Sequence, residues 1–468
     1  MNAIVKSPAD LHPYARVVGQ ESPRRSPQDA IPCVIGRDLQ LNPDVLGRYC
    51  FKEISARVED LIIIAGVIAF ADRAVARKLS ISWLRHIDVT IPVLEPDFWR
   101  QPHITDELRN LLNLLTGDAW SLHFSIKSAR LEVHGPRPLS LSSNEQPIVM
   151  PYSDGMDSFA MSRLLANENP DVPLLMVTAG SRLDADKERR ENRLDGRRVR
   201  LAVPFQISQQ RGVRLREPSY RTRALIYGVM GAVAAQLSGA SRIMVSESGQ
   251  GALGPWLVPV GNEALDIRMH PAYTSQLAHF LNMVLGIQIA YEHPRLWSTK
   301  GQTLRELADR GLAEDWHETR SCARDARHMS YLGTRLQCGV CAACLLRRMS
   351  IHSAGLDESL DDYMWKHLDA GGLDDAVIDP TRVATKGDRG HAVCGALAMA
   401  QLAELADPSQ SAYVHAKAQE LARIGGESVD LTQVRLAGLI RQHADEWNEF
   451  VERQGDSSYL AQFSGGMR

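Results

Sequence analysis

The sequence predicts an α/β protein: a doubly wound parallel sheet with an N-terminal accessory domain before it and a helical region after it. Three observations carry this reading. Short apolar runs alternate with helical segments from about Glu145 to Leu356, the pattern of a parallel sheet with helices on both faces. The first run ends in a turn of small and polar residues, Ser153-Asp154-Gly155-Met156-Asp157-Ser158, that leads into a helix. Beyond about Asp357 the strand signals stop, and Val429–Val451 carries Leu431, Val434, Leu439, Ile440, Trp447, Phe450 and Val451 at helical spacing.

Taken in order, residues 1–30 read as a flexible arm with Pro8, Pro13, Pro23 and Pro27. Residues 31–144 form the accessory domain, mixed α/β or β-rich. Its longest apolar run, Leu61–Ala71, contains Ile62, Ile63, Ile64, Val67 and Ile68 and suits either a buried strand or a short core helix. Ile81–Val93 has a period of two over most of its length and Trp120–Ile126 alternates likewise, so both read as strands. Between them Thr105–Leu115 carries Leu108, Leu111, Leu112, Leu114 and Leu115, an amphipathic helix. The core, residues 145–356, opens with the strand Pro147–Met150 and a helix bearing Phe159, Met161, Leu164 and Leu165. Pro173–Thr178, Val199–Phe205, Ile243–Val245 and Ile287–Ala290 supply further strands, and Ala224–Leu237 and Thr303–Leu312 further helices. Ligands in such folds bind at the carboxyl ends of the strands, which directs attention to the turn after Met150. Residues 357–468 complete the chain as a helical region.

Composition narrows the class. A chain of 468 residues with 44% hydrophobic and 23% charged residues is globular rather than disordered or fibrous. Lys plus Arg number 53 and Asp plus Glu 56, a net charge of −3, so no basic field points to nucleic acid. The first 32 residues lack the apolar segment of a secretory signal. Leu61–Ala71 falls short of the roughly 18–20 residues a membrane span needs. A cytoplasmic protein without a membrane partner is the expectation.

In the turn at 153–158 the chain passes from an apolar strand to a helix N-terminus, whose unpaired N–H groups and partial positive charge bind phosphate. Ser153 and Ser158 add hydroxyl donors, Gly155 allows close backbone approach or positive φ, and Asp157 can hold Mg²⁺ bridging phosphate oxygens. The plain alternative is a capped helix, since Asp and Ser are common N-caps.

Of seven cysteines, four fall in Cys322-x15-Cys338-x2-Cys341-x2-Cys344. Tight C-x2-C steps place sulfurs on one metal, and four thiolates suit a structural Zn²⁺. An iron–sulfur cluster is the lesser alternative, and unpaired buried cysteines the plain one. Cys33, Cys50 and Cys394 read as plain buried thiols.

The 153–158 turn resembles the S-G-G-x-D-S loop of the N-type ATP pyrophosphatases, with Asp154 in place of the first glycine. Loop, α/β segment and C…C-G-x-C-x-x-C-x-x-R in that order resemble the QueC family, the 7-cyano-7-deazaguanine synthases, over roughly Gln146 to Leu356; Arg347 stands at the family's arginine. The longer Cys322–Cys338 gap and the two extra flanking regions make the chain most similar to the QueC-like proteins of bacterial anti-phage defence, the QatC group.

The resemblance implies a fold of the adenine-nucleotide α-hydrolase (PP-loop) type, with ATP, Mg²⁺ and Zn²⁺ as cofactors. It implies an ATP-dependent C–N ligase that activates a 7-deazaguanine carboxylate as its adenylate and forms an amide or nitrile. In the defence group the amine belongs to a partner protein of the same operon. Ser153, Asp154, Gly155, Met156, Asp157 and Ser158 would bind ATP together with Arg221 or Arg223, which precede the charge-poor helix. Asp157, Ser158 and Lys300 would be catalytic; Glu247, Ser248 and His270 would bind the deazaguanine. The accessory regions would dock the partner. For Arg221, Arg223, Glu247 and Lys300 the alternative is a solvated charge, and for His270 a structural histidine. Residues 181–216, with eleven Arg or Lys against five Asp or Glu, read as a solvated helix face or a cover over ATP. The housekeeping synthase and a degenerate zinc-stapled scaffold, disabled by Asp154, are the competing readings.

Overall fold

The computed structural model describes residues 14–22, 29–50, 52–79, 82–131, 146–180, 198–208, 215–259, 263–322, 324, 329–379 and 381–465. Most of the basic run 181–216 lies outside the described residues. The chain divides into two compact units that interleave in sequence: Met1–Tyr152, Ala166–Val245 and Asn262–Glu292 form the first, and Ser153–Leu165, Ser246–Gly261 and His293–Arg468 the second.

The first unit is α/β, and its described residues form two sheets. Strands β1 (Tyr14–Gln20) and β2 (Ala30–Val34) come first, followed by β3 (Leu39–Leu41). Part of the expected flexible arm is therefore a strand, and an interior one, since β1 pairs in parallel on both sides. The helices α1 (Asp44–Cys50) and α2 (Ala56–Ala74) follow. The apolar run at 61–71 thus resolves as helix. Ser55 caps α2 by accepting from the Val58 N–H at 3.2 Å, and Leu61 through Ala71 are buried on every face, as a helix packed on all sides requires.

Strand β4 (His86–Val93) starts later than the alternation predicts, because Arg85 is drawn into a buried ion cluster instead. The short helix α3 (Pro96–Trp99), helix α4 (Pro102–Thr116) and strand β5 (Ala119–Ile126) complete the first sheet, whose order β2-β1-β4-β5 is parallel throughout.

The second sheet uses β6 (Ile148–Pro151), β7 (Leu174–Gly180), β8 (Arg198–Ile207), β9 (Arg242–Met244) and β10 (Ala290–Glu292). Its order is β10-β9-β6-β7-β8-β3, with only β3 antiparallel. The chain runs outward from β6 to β7 and β8, then returns to the other side of β6 for β9 and β10. The carboxyl end of β6 is therefore where strand order reverses, the place where open α/β sheets bind ligands. Helix α5 (Met156–Glu168) follows that end, and α6 (Arg223–Ser238) connects β8 to β9.

Buried charge organises the first unit. Arg85 is fully buried and gives Nη2 to Asp72 and to Asp118, each at 2.6 Å. Arg77 adds a second guanidinium to Asp118 at 2.6 Å. Burial opposes the charge on Arg85, but Asp118 and Asp72 outweigh it and hold the guanidinium above its ordinary pKa. Asp72 also accepts from the Thr222 N–H and hydroxyl at 3.1 and 2.9 Å, anchoring the start of α6.

The second unit is largely helical: α7 (Gly249–Leu257), α9 (Lys300–Asp309), α10 (Ala342–Ser353), α11 (Lys386–Glu404), α12 (Ser411–Gly425), α13 (Val429–Gln454) and α14 (Tyr459–Gly465), while α8 (Pro271–Leu285) belongs to the first unit. A two-stranded hairpin, β11 (Ser330–Tyr331) with β12 (Thr334–Arg335), accompanies the cysteine cluster. The C-terminal region is helical as predicted. On α13 the buried stripe runs through Leu436, Leu439, Ile440, Trp447 and Phe450, whereas Leu431 and Val434 are exposed. Among the described residues no helix is long and apolar enough to cross a membrane.

Removing Asp118 leaves two buried guanidinium groups short of a counter-charge. Asp118→Ala should cost about 3–5 kcal/mol in chemical denaturation; a loss below ~1 kcal/mol would mean the cluster is not the anchor described.

Candidate functional site

The turn after β6 is knitted by its two serines. Ser158 Oγ donates to the Ser153 carbonyl at 2.5 Å and accepts from the Ser153 N–H at 3.3 Å. Ser153 Oγ lies 3.1 Å from Ser158 Oγ and accepts from the Gly155 N–H at 3.2 Å. Gly155 does not adopt positive φ; a Cβ there would sit 3.0 Å from Ser153 Oγ, so close approach is its role. Met156 is sealed in an apolar cluster with Phe159, Leu164, Leu304, Leu307 and Ile351, which leaves its backbone as its only route to a ligand. Asp154 is exposed, and its carbonyl accepts from the Arg320 N–H at 2.7 Å.

From the first turn of α5, Asp157 meets Lys300: Oδ2 lies 2.7 Å from Nζ. Lys300 is the first residue of α9, where the helix dipole disfavours a cation. Burial works against its charge too, yet Asp157 and the nearby Glu247 hold the ammonium above its ordinary pKa, with Arg347 pulling the other way. Glu247 leans over the first turn of α7, since a Cβ on Gly251 would lie 1.9 Å from its Oε1. Ser248 caps α7 by position, but its hydroxyl is buried and makes no hydrogen bond.

The starts of α7 and α9 are laced together. The Gly249 N–H donates to the Ser298 carbonyl at 3.0 Å, and the Lys300 N–H to Gln250 Oε1 at 2.8 Å. Three helix N-termini, those of α5, α7 and α9, thus converge on the Lys300–Asp157 pair.

Helix α13 braces this arrangement from behind. Gln250 Nε2 lies 2.8 Å from His443 Nδ1, and His443 Nε2 lies 2.9 Å from the Met399 carbonyl. A carbonyl only accepts, so Nε2 carries the proton and Nδ1 accepts from Gln250. Burial lowers the His443 pKa to about 4, which keeps the ring neutral. Thr299 Oγ1 donates to Glu446 Oε1 at 2.6 Å while accepting from the Gln302 N–H in a capping box. Gly301 lets Glu446 approach, because a Cβ would stand 2.8 Å from both Glu446 Oε1 and Ser353 Oγ and one of them would have to shift. Burial raises the Glu446 pKa, against the hydrogen bonds it accepts.

The four cysteines of the predicted metal site come together, their sulfurs all within 4.8 Å of one another. Cys338 and Cys344 Sγ lie 3.7 Å apart, close to the edge of about 3.8 Å that a tetrahedron with Zn–S bonds near 2.3 Å requires. No disulfide joins them. The Cys338 N–H points to Cys322 Sγ and the Cys341 N–H to Cys338 Sγ, each at 3.3 Å, which favours thiolate. Gly339 takes φ +86° with the Trp365 carbonyl 2.4 Å from where a Cβ would be, so only glycine serves in this knuckle. The donor set fits a zinc ion. Of the remaining cysteines, Cys33 is buried with its pKa raised by burial, Cys50 is half-buried, and Cys394 is exposed rather than buried as expected.

Arg221, Arg223 and His270 lie in the first unit. Arg221 is buried against Glu263 and Asp266 at 3.2 and 3.3 Å, and its charge is spent there. Arg223 is exposed, 5.4 Å from the Tyr227 ring. His270 caps α8, Nδ1 accepting from the Ala272 N–H at 3.1 Å. Gln250, His443, Glu446 and Arg320 escaped the sequence reading. The only local signal was the pair Thr299-x-x-Gln302 of a capping box. Compared with known proteins, the chain matches no family model and no curated protein.

Two outcomes follow. Metal analysis should find one zinc ion per chain, and Cys341→Ser should lose it together with part of the thermal stability of the second unit; a metal-free, fully stable wild type would refute the assignment. His443 is neutral in the fold, while the unfolded chain protonates it below about pH 6.5. Its stabilising share is therefore whole above pH 6.5 and is lost as pH falls toward about 4, at up to about 1.4 kcal/mol per pH unit. Denaturation of wild type and His443→Gln at pH 7 and pH 5 should show the steeper loss in wild type; parallel losses would contradict it.

Proposed function

We propose that the second unit binds ATP at the 153–158 turn and adenylates a carboxylate, as the likeness to QueC-type ATP pyrophosphatases implies. The observation that carries this is the convergence of three helix N-termini on Lys300 and Asp157. Such termini stabilise oxyanions, and the unpartnered Ser248 hydroxyl adds a donor. Exposure of Asp154 favours an active loop over a degenerate one, because water screens its charge from phosphate.

In this reading the carboxylate oxygen of a 7-deazaguanine attacks the α phosphorus, the α–β bridging P–O bond breaks, and pyrophosphate departs. Lys300 and the turn N–H groups receive its charge; no side chain forms a covalent bond. Asp157 and the serine hydroxyls are hard oxygen donors of the kind that hold Mg²⁺ when substrate phosphates complete its shell. Magnesium, when bound, neutralises phosphate charge. Glu247 accepts from the N–H edge of the base. An amine then attacks the acyl carbon, loses a proton, and AMP leaves. Following the likeness to the defence group, that amine is carried by a partner protein; ammonia would give the free amide instead. Cys322, Cys338, Cys341 and Cys344 would hold a zinc ion in a structural role, since the protein itself would supply all four ligands.

Mixing the protein with ATP, Mg²⁺, 7-carboxy-7-deazaguanine and an amine should release pyrophosphate and AMP in equal amounts. Lys300→Met should reduce turnover at least ~100-fold with the zinc retained. Absence of turnover with ammonia and with every candidate partner would overturn the reading.

A further inference from the structure

Arg347 lies on α10, one turn beyond Cys344, and is 1% exposed. Its Nε donates to the Tyr363 hydroxyl at 3.1 Å and its Nη1 to Thr319 Oγ1 at 2.7 Å. Both partners are neutral, and their own protons go elsewhere: Tyr363 donates to Glu358 at 2.6 Å and Thr319 to the Trp316 carbonyl at 2.7 Å. Among the described residues no carboxylate pairs with this guanidinium, and its Nη2 donors are unspent. The neighbouring Arg348 differs: it takes Glu358 at 3.3 Å and the carbonyls of Trp365 and Lys366, as a structural arginine does.

A buried cation without a counter-ion costs several kcal/mol, so its retention needs a reason. Thr319, which accepts from Arg347, adjoins Arg320, whose N–H donates to the Asp154 carbonyl of the 153–158 turn at 2.7 Å, and Ile351, one turn further along α10, packs in the cluster that seals Met156. Lys300 and Arg347 are both buried, and Asp157, 2.7 Å from the ammonium, answers Lys300 but not Arg347. The three helix N-termini add about half a positive charge each. A guanidinium fork with free donors and no carboxylate partner suits a multiply charged anion better than a single carboxylate.

We propose that Arg347 binds the phosphoryl oxygens of the pyrophosphate portion of the nucleotide, and holds them as the leaving group departs. This rests on the ATP reading above. The fork of the guanidinium matches two phosphate oxygens at once. The cysteine knuckle, one turn earlier on the same helix, fixes its position.

The test is calorimetric titration of the full-length protein with inorganic pyrophosphate and, separately, AMP, both with Mg²⁺. Arg347→Met should weaken pyrophosphate binding about 10- to 100-fold and leave AMP affinity unchanged. Zinc content and melting temperature report the fold. Should Arg347→Met fail to fold, Arg347→Lys decides, because it keeps the charge and loses the fork: with zinc and melting intact it should still weaken pyrophosphate several-fold. Wild-type pyrophosphate affinity in a folded variant overturns the inference. So does equal loss of pyrophosphate and AMP with a lowered melting temperature, which marks a structural pillar. If Lys300→Met loses pyrophosphate while Arg347→Met does not, the ATP reading stands and this inference falls. If wild type binds neither pyrophosphate nor ATP, both fall.

Discussion

A buried ammonium at the start of a helix is the constraint around which the second unit is arranged. Lys300 sits where the dipole of α9 and the loss of water both oppose its charge. Asp157 neutralises it directly at 2.7 Å, and Glu247 contributes through space. Neither would suffice if the backbone around Lys300 were loose. The Gln250–His443–Met399 chain fixes its amide, and Glu446 fixes the hydroxyl of Thr299 just before it. Helix α13 therefore braces the segment that carries Lys300, although it lies in a region whose sequence suggested only an appended docking surface.

The cysteine knuckle serves the same end by another route. Cys341 caps α10 and Cys344 lies in its first turn, so a metal held there sets the direction of the helix that carries Arg347 and Arg348. Arg348 returns to the knuckle through the Trp365 and Lys366 carbonyls. Arg320 ties the hairpin carbonyls of Arg335 and Leu336 to the turn at Asp154. Cysteine knuckle, hairpin and turn are one connected framework within the unit. In the first unit the comparable role falls to the Arg85–Asp118–Asp72 cluster, which binds the end of α2, the start of β5 and the start of α6 by charge.

Most elements were legible from periodicity. The predicted strands at 147–150, 173–178 and 199–205 and the helices at 105–115 and 224–237 all appear, shifted by one to three residues at their ends. Where periodicity left a choice open or ended elsewhere, the cause is physical. At 61–71 the run is apolar at every position, so no period could separate strand from helix; the Ser55 cap decided it. At 81–93 the alternation extended past the true start because Arg85 gains more from two carboxylates than from a ladder. In the arm, Tyr14–Gln20 became a strand through partners 14 and 72 residues away, which proline content could not reveal.

The sequence by itself determined what is local: the small polar turn at 153–158, the spacing of four cysteines that brings their sulfurs within 4.8 Å, and the strand–helix alternation. These depend on neighbours in the chain, whose geometry a short peptide already restricts. Only the tertiary structure decided which charges act together. Lys300 found Asp157 across 143 positions and Thr299 found Glu446 across 147, while Arg221, equally plausible in sequence, was spent on Glu263 and Asp266. Charge pairing depends on distance and burial, and both are properties of the packed chain rather than of its order.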